Sequence, residues 1–267
     1  MIKKNKIILL VISIILISAC SSSQNPLDVM DIAQQKAENL NYVAEYTTKI
    51  ETTSKGNSFS QVFTTITSKD GPNKKTEVYV KEIVLLQETI ETEFEFVNCY
   101  YGKSIEDINC LQINKPKKLD TPREILTQLI ENHILNIKTS SKIINLGSKE
   151  LECTNLEYKF DFSKLTPQTA TKILQLFPEF SKTDEEIKLN FIEEFSSAIC
   201  FDKQTGLPLE SSSNIGYVIP NTAKSDSFYQ STTQKIQRLD RTPLFSKTEF
   251  TIPKQAKVKD MTTEESK

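Results

Sequence analysis

The chain has 267 residues, of which 33 are Lys or Arg, 35 Asp or Glu and one His, with 37% hydrophobic and 25% charged residues. That balance excludes a disordered polyelectrolyte and a multi-span membrane protein, and predicts a globule. His133 alone cannot build the usual imidazole-based zinc centres, and the six glycines, none closer together than Gly206 and Gly216, leave no room for a phosphate-cradling loop or a dinucleotide turn. No cofactor is expected.

Lys3, Lys4 and Lys6 precede an apolar run from Ile7 to Ile17. The run is shorter than the roughly 20 residues of a spanning helix, so residues 1–19 read as a secretory signal. Its end, Ile17-Ser18-Ala19-Cys20, resembles the lipobox of prokaryotic lipoproteins. The resemblance implies that Cys20 is diacylglycerol-modified through its thiol and becomes the new N-terminus. The chain would then be lipid-anchored on the extracytoplasmic face of the cell membrane, the periplasmic side where an outer membrane exists, with residues 20–26 as a flexible tether. Loss of residues 1–19 brings the net charge to about −5, which speaks against nucleic acid as a partner.

Leu27, Met30, Ala33, Ala37 and Leu40 fall at helical spacing and predict a first amphipathic helix over Leu27 to Leu40. From Tyr42 the Thr, Val, Tyr, Phe and Ile content rises. Turn clusters at Lys55-Gly56-Asn57 and Asp70-Gly71-Pro72-Asn73 then predict an antiparallel meander, with further strands at Ile83 to Leu86 and Thr92 to Tyr101. Cys99 and Cys110 can face each other across the next hairpin. An even set of cysteines in an exported chain favours two disulfides, so Cys153 is expected to pair with Cys200.

Thr121-Pro122 and Glu124 open a second predicted helix, Asp120 to Ile137, whose apolar face is Ile125, Leu126, Leu129, Ile130, Ile134 and Ile137. His133 on this helix reads as a capping or packing residue near its end. Strands resume at Ile143 to Leu146 and Glu152 to Phe162. Thr166-Pro167 opens a third helix reaching about Phe177, with Ile173 and Leu174 on it. Thr183 to Phe195 fits either a helix or a strand. Ser197 to Asp202 and Leu207 to Ser213 form a hairpin around Lys203-Gln204-Thr205-Gly206. Tyr229 to Arg238 and Thr248 to Val258 are the last elements, and residues 261–267 are a charged tail.

The opening helix followed by Tyr42-Val43-Ala44-Glu45-Tyr46-Thr47, the segment Asp202-Lys203-Gln204-Thr205-Gly206-Leu207-Pro208-Leu209, and Phe250-Thr251-Ile252-Pro253 with Ala256-Lys257-Val258 beyond it resemble the LolA-like family of lipoprotein carriers. The resemblance implies an α+β, mainly antiparallel fold: a strongly curved half-barrel sheet with helices covering its concave face, in a single domain over residues 27–260. It also implies an apolar cavity for acyl chains. Periodicity places Ile125, Leu126, Leu129, Ile130, Ile173, Leu174 and Phe177 as its helical lining. A packed core with no ligand would show the same pattern.

The expected function is that of a non-catalytic, membrane-anchored lipoprotein, a monomer, that binds or presents a lipid or an acylated protein. The alternative is an envelope protein with a packed core that engages another protein. Glu185-Glu186 and Glu193-Glu194 are the carboxylate pairs an enzyme could use, but neighbouring carboxylates on a strand point to opposite sides, so no catalysis is expected.

Overall fold

The structure, a computed structural model, describes residues 25–54, 56–81, 84–93, 95–102, 108–114, 122–166, 192–219, 226–246 and 249–260. The signal, Cys20, the third helix beyond Thr166, Glu185-Glu186, residues 183–191 of the ambiguous segment and the tail lie outside them.

Helix α1 (Pro26–Glu38) starts where Asn25 accepts the Leu27 N–H at 3.0 Å and Pro26 sets the first turn. It leads into β1 (Tyr42–Ser54), β2 (Asn57–Asp70), β3 (Asn73–Val80), β4 (Val84–Glu91), β5 (Glu95–Tyr101) and β6 (Ile108–Asn114), a meander with each strand beside the last. After α2 (Pro122–Glu131), a second meander runs through β7 (Leu135–Leu146), β8 (Lys149–Phe160), β9 (Ile192–Asp202), β10 (Pro208–Ile219) and β11 (Asp226–Asp240). A single 3-10 turn, Phe162–Lys164, follows β8. Because β11 pairs with β1, the two meanders form one open sheet ordered β12-β6-β5-β4-β3-β2-β1-β11-β10-β9-β8-β7.

The second helix is shorter than its apolar spacing suggests. It closes after Glu131: His133 takes a φ of +54°, its N–H donates to the Ile130 carbonyl, and the Ile134 N–H reaches back to Leu129, both at 2.9 Å. This is a Schellman ending with His133 where glycine is usual, and Leu129 and Ile134 make the apolar contact that accompanies it. Ile134 therefore lies just past the helix, and Ile137 belongs to β7. Apolar residues at 134 and 137 satisfy a helical period and a strand period alike. At the ambiguous segment, Ile192–Phe195 open β9 as strand.

The sheet is mainly antiparallel, as expected, with one parallel pair, because β12 (Lys257–Asp260) runs parallel to β6. The chain leaves β11 in the middle of the sheet and re-enters at the far edge, roughly seven strand spacings or about 34 Å away. On the way Ile252 and Ala256 cover the buried residues Ile90, Val97, Cys99, Ile108 and Cys110. A crossover of this kind returns the chain in the parallel sense.

The second meander curls. Edge strand β7 comes into contact with β11, Lys142 of β7 pairs with Glu210 of β10, and Ile144 shares a buried cluster with Tyr46 and Ile236. Along β7 and β8 the buried residues change side, from Leu135, Leu156 and Phe160 to Ile144 and Cys153, which strict alternation puts on opposite faces. A register shift between Pro208 and Glu210 marks a bulge where β10 joins that switch. Cys153 bonds Cys200 inside this cluster, and Cys99 bonds Cys110 across the β5–β6 hairpin, the two pairings expected from the sequence.

The β9–β10 turn is held from within and from outside. Asp202, almost fully buried, accepts the Thr205 N–H at 3.1 Å, the Thr205 hydroxyl and Arg241 at 3.3 Å. Gly206, at φ +72°, lies so close to α1 that a Cβ there would stand 2.1 Å from the Ala33 carbonyl oxygen. Replacing Gly206 with Ala therefore forces either the helix or the turn to move. Gly147, at φ +61° in open space, suffers only the backbone cost. We expect G206A to lose at least 3 kcal/mol, and G147A about 1 kcal/mol, in urea unfolding. Equal losses would show that α1 is not seated on this turn.

Candidate functional site

A cleft of about 1150 Å³ opens where α2 ends, β7 begins, β8 ends and β9 begins. Its apolar lining is Ile130, Ile134, Leu135, Ile137, Phe160, Phe162 and Ile192. These come together for local reasons. The Schellman ending turns Ile134 and Leu135 directly from helix into strand, the Asp161 N–H donates to the Ile134 carbonyl at 2.8 Å, and the 3-10 turn stacks Phe162 on Phe160 with ring centroids 5.8 Å apart. Phe195 meets Phe160 edge-on at 5.3 Å and packs against the same core cluster.

The rim is polar: His133, Asn136, Lys159, Asp161, Ser163, Lys164 and Glu193. Asp161 accepts the Ser163 hydroxyl at 2.6 Å and pairs with Lys164 at 3.0 Å, and these donors hold its carboxyl below the usual range. Lys164 also donates to the His133 carbonyl at 3.3 Å, tying the turn to the end of α2.

Of the helical residues predicted to line a cavity, Ile130 reaches the cleft. Leu129 is fully buried and packs with Ile215 and Phe160, with Ile125 and Leu126 half-buried against the same cluster, so these three form core beneath α2. Ile173, Leu174 and Phe177 lie outside the described residues. Glu193 and Glu194 are both exposed, and Glu193 sits on the rim.

Three features were not foreseen from the sequence. Arg123, on the first turn of α2, grips two carboxylates of α1, Asp28 at 2.6 Å and Asp31. Next, one face of the first meander carries a partly open apolar set: register places Phe59, Phe63, Val78, Val80, Val84, Tyr100 and Leu111 on it, interrupted by Thr65, Gln87, Asn98 and Asn109, with Phe59 60% and Tyr100 54% exposed. On the opposite face, beside the Cys99–Cys110 bridge, Lys75 bridges Glu77 at 3.2 Å and the buried Glu88 at 3.1 Å, and Tyr101 donates to Glu88. Burial works against the charge on Lys75, yet Glu77 and Glu88 hold the ammonium strongly enough to raise its pKa. Alternation at Lys75, Glu77 and Tyr79 was the one signal available, and it looks like an ordinary solvated face.

Among the described residues no three His, Cys, Asp or Glu side chains are grouped to hold a metal, and no helix is long and apolar enough to cross a membrane.

No family model and no curated protein matches the chain. Solved structures with a similar arrangement include an uncharacterized conserved protein from Thermus thermophilus, at 10% identity over 89% of this chain and 99% of that one with a TM-score of 0.39. An outer membrane lipoprotein-sorting protein domain from Vibrio parahaemolyticus matches at 11% identity over 84% and 95%, with a TM-score of 0.33. A LolA superfamily protein from Nitrosomonas europaea matches at 8% identity over 84% and 97%, with a TM-score of 0.28. LolA-like proteins are thus among the structures this chain is similar to, and at these scores the likeness says nothing of what it binds.

Burial, and then the Glu77 carboxylate, push the Tyr79 phenol from 10.0 up to about 12, and burial with Glu88 raises Tyr101 as well. A phenol whose pKa is higher folded than unfolded stabilises the fold fully below the unfolded value and loses that contribution as pH rises through the folded one. Stability should therefore fall between pH 10 and about 12. Thermal unfolding across that range should show the fall, and Y79F should flatten it; an unchanged slope in Y79F would remove Tyr79 from the account.

Proposed function

We propose that this chain is a membrane-anchored extracytoplasmic lipoprotein that holds an acyl chain in the cleft at the end of α2, without catalysing a reaction. One observation carries the reading: an open cleft of about 1150 Å³ lined by seven large apolar side chains, four of them core residues that show only an edge to it, together with polar ones. An apolar floor with a polar mouth suits an amphiphile, whose tail leaves water while its head stays wet. The lipobox-like Ile17-Ser18-Ala19-Cys20 supports the anchor, and two acyl chains on Cys20 supply the two signals that stable attachment needs. On this reading the protein stays on one membrane and receives or presents its ligand there as a single domain and a monomer.

The half-open apolar face of β2–β6 favours a second reading, in which that face docks an acylated protein. Native mass spectrometry of residues 21–267, secreted by a lipid-containing host, separates the two. Co-purifying lipid mass that is lost in Phe162→Glu, with the fold intact by circular dichroism, is the expected result. A clean protein mass that stays unchanged after incubation with phospholipid vesicles would overturn the lipid reading.

A further inference from the structure

The sole histidine stands at a left-handed position where glycine is usual, and that position is on the rim of the cleft. His133 ends α2 at φ +54°, where glycine fits without strain and any other residue carries a backbone cost. Its backbone is fully used: the N–H caps Ile130 and the carbonyl accepts Lys164. Glycine would make both bonds equally well, so the helix ending does not account for the imidazole. The side chain is exposed on the cleft rim.

The charges around it set what it could meet. Asp161 is occupied by Ser163 and Lys164, so its carboxylate is turned to its own loop. Lys164 is spent on Asp161 and the His133 carbonyl, which leaves His133 and Lys159 as donors towards the mouth, with Glu193 as the opposing carboxylate. We propose that His133 is the head-group residue of this cleft, selecting single-chain amphiphiles whose head is an oxyanion, a carboxylate or a phosphate, over neutral or cationic ones. The proposal rests on the reading that the cleft takes an acyl chain. An imidazole N–H and the Lys159 ammonium donate to such a head, while Glu193 disfavours it and keeps the selection moderate.

The conformation makes a clean test possible, because His133→Gly removes the imidazole and relieves the backbone at once. Binding of dodecyl phosphate, dodecanoate, dodecanol and dodecyltrimethylammonium is measured by calorimetry on residues 21–267, alongside thermal unfolding. The wild-type chain should bind the two anions more tightly than the alcohol and the cation. H133G should melt at a higher temperature and yet bind the anions about tenfold more weakly, with dodecanol unchanged, and Glu193→Gln should strengthen the anions. Phosphate and carboxylate heads that differ from each other would identify which oxyanion is preferred and support the assignment. H133G binding all four amphiphiles as the wild type does, with only the melting temperature raised, would reduce His133 to a helix-ending residue and overturn the proposal. Failure of the wild type to bind any of the four would instead overturn the acyl-chain reading itself.

Discussion

The backbone of α1 rests on the β9–β10 turn at a distance only glycine permits, and much of the molecule hangs from that contact. Gly206 lets the helix approach, Lys36 adds a bond to the Lys203 carbonyl, and Asp202 beneath holds the turn against Thr205 and Arg241. With α1 fixed there, Asp28 and Asp31 present a fixed pair of carboxylates to Arg123, which holds the first turn of α2. Leu129 on α2 then sits in the core of the second meander, and the Schellman ending at His133 delivers Ile134 and Leu135 to the cleft. An exposed ion pair contributes no more than about 1 kcal/mol, so Arg123 orients α2 while the apolar face of that helix supplies the stability.

The two halves of the sheet are finished in different ways. The second meander curls until β7 meets β11 and buries its disulfide among Tyr42, Tyr46 and Ile236. The first stays more open; its one face is closed by the crossing segment that carries Ile252 and Ala256, its other keeps Phe59, Val84 and Tyr100 half in water. Edge strand β12 is short and carries the exposed Lys257 and Lys259, charges that discourage pairing with another chain.

Much of this was legible in the sequence because local chemistry decided it. The spacing of Leu27, Met30, Ala33 and Ala37 announces α1, although Asn25 and Pro26, read as the end of the tether, prove to be its cap and first turn; glycine and asparagine mark the hairpins, and Cys99 and Cys110 fall opposite each other once the hairpin is drawn. The Asp202 to Leu209 segment, recognisable as a motif, turns out to matter for packing: its glycine admits a helix. What stayed hidden depended on contacts distant in sequence. Nothing local told Ile134 and Ile137 apart from a continuing helix, since the left-handed residue that stops it is a histidine. Lys75, Glu77 and Glu88 read as surface charges until strand pairing sets β3 beside β4 and buries Glu88 against Lys75 and Tyr101. The cleft lining likewise draws on α2, β7, β8 and β9, and Ile130 is the one helical candidate among the described residues that reaches it.

The isoleucines offer the most direct examination of the central claim, that an acyl chain lies in this cleft. Ile130, Ile134, Ile137 and Ile192 line it, Ile90 and Ile108 lie under the crossing segment, and Ile144 and Ile236 lie in the curled half. In a methyl-labelled NMR titration of residues 21–267 with a single-chain amphiphile, the account predicts saturable shifts at the first four and still signals at the others. Shifts confined to Ile90 and Ile108, or none below the concentration at which the amphiphile forms micelles, would contradict it.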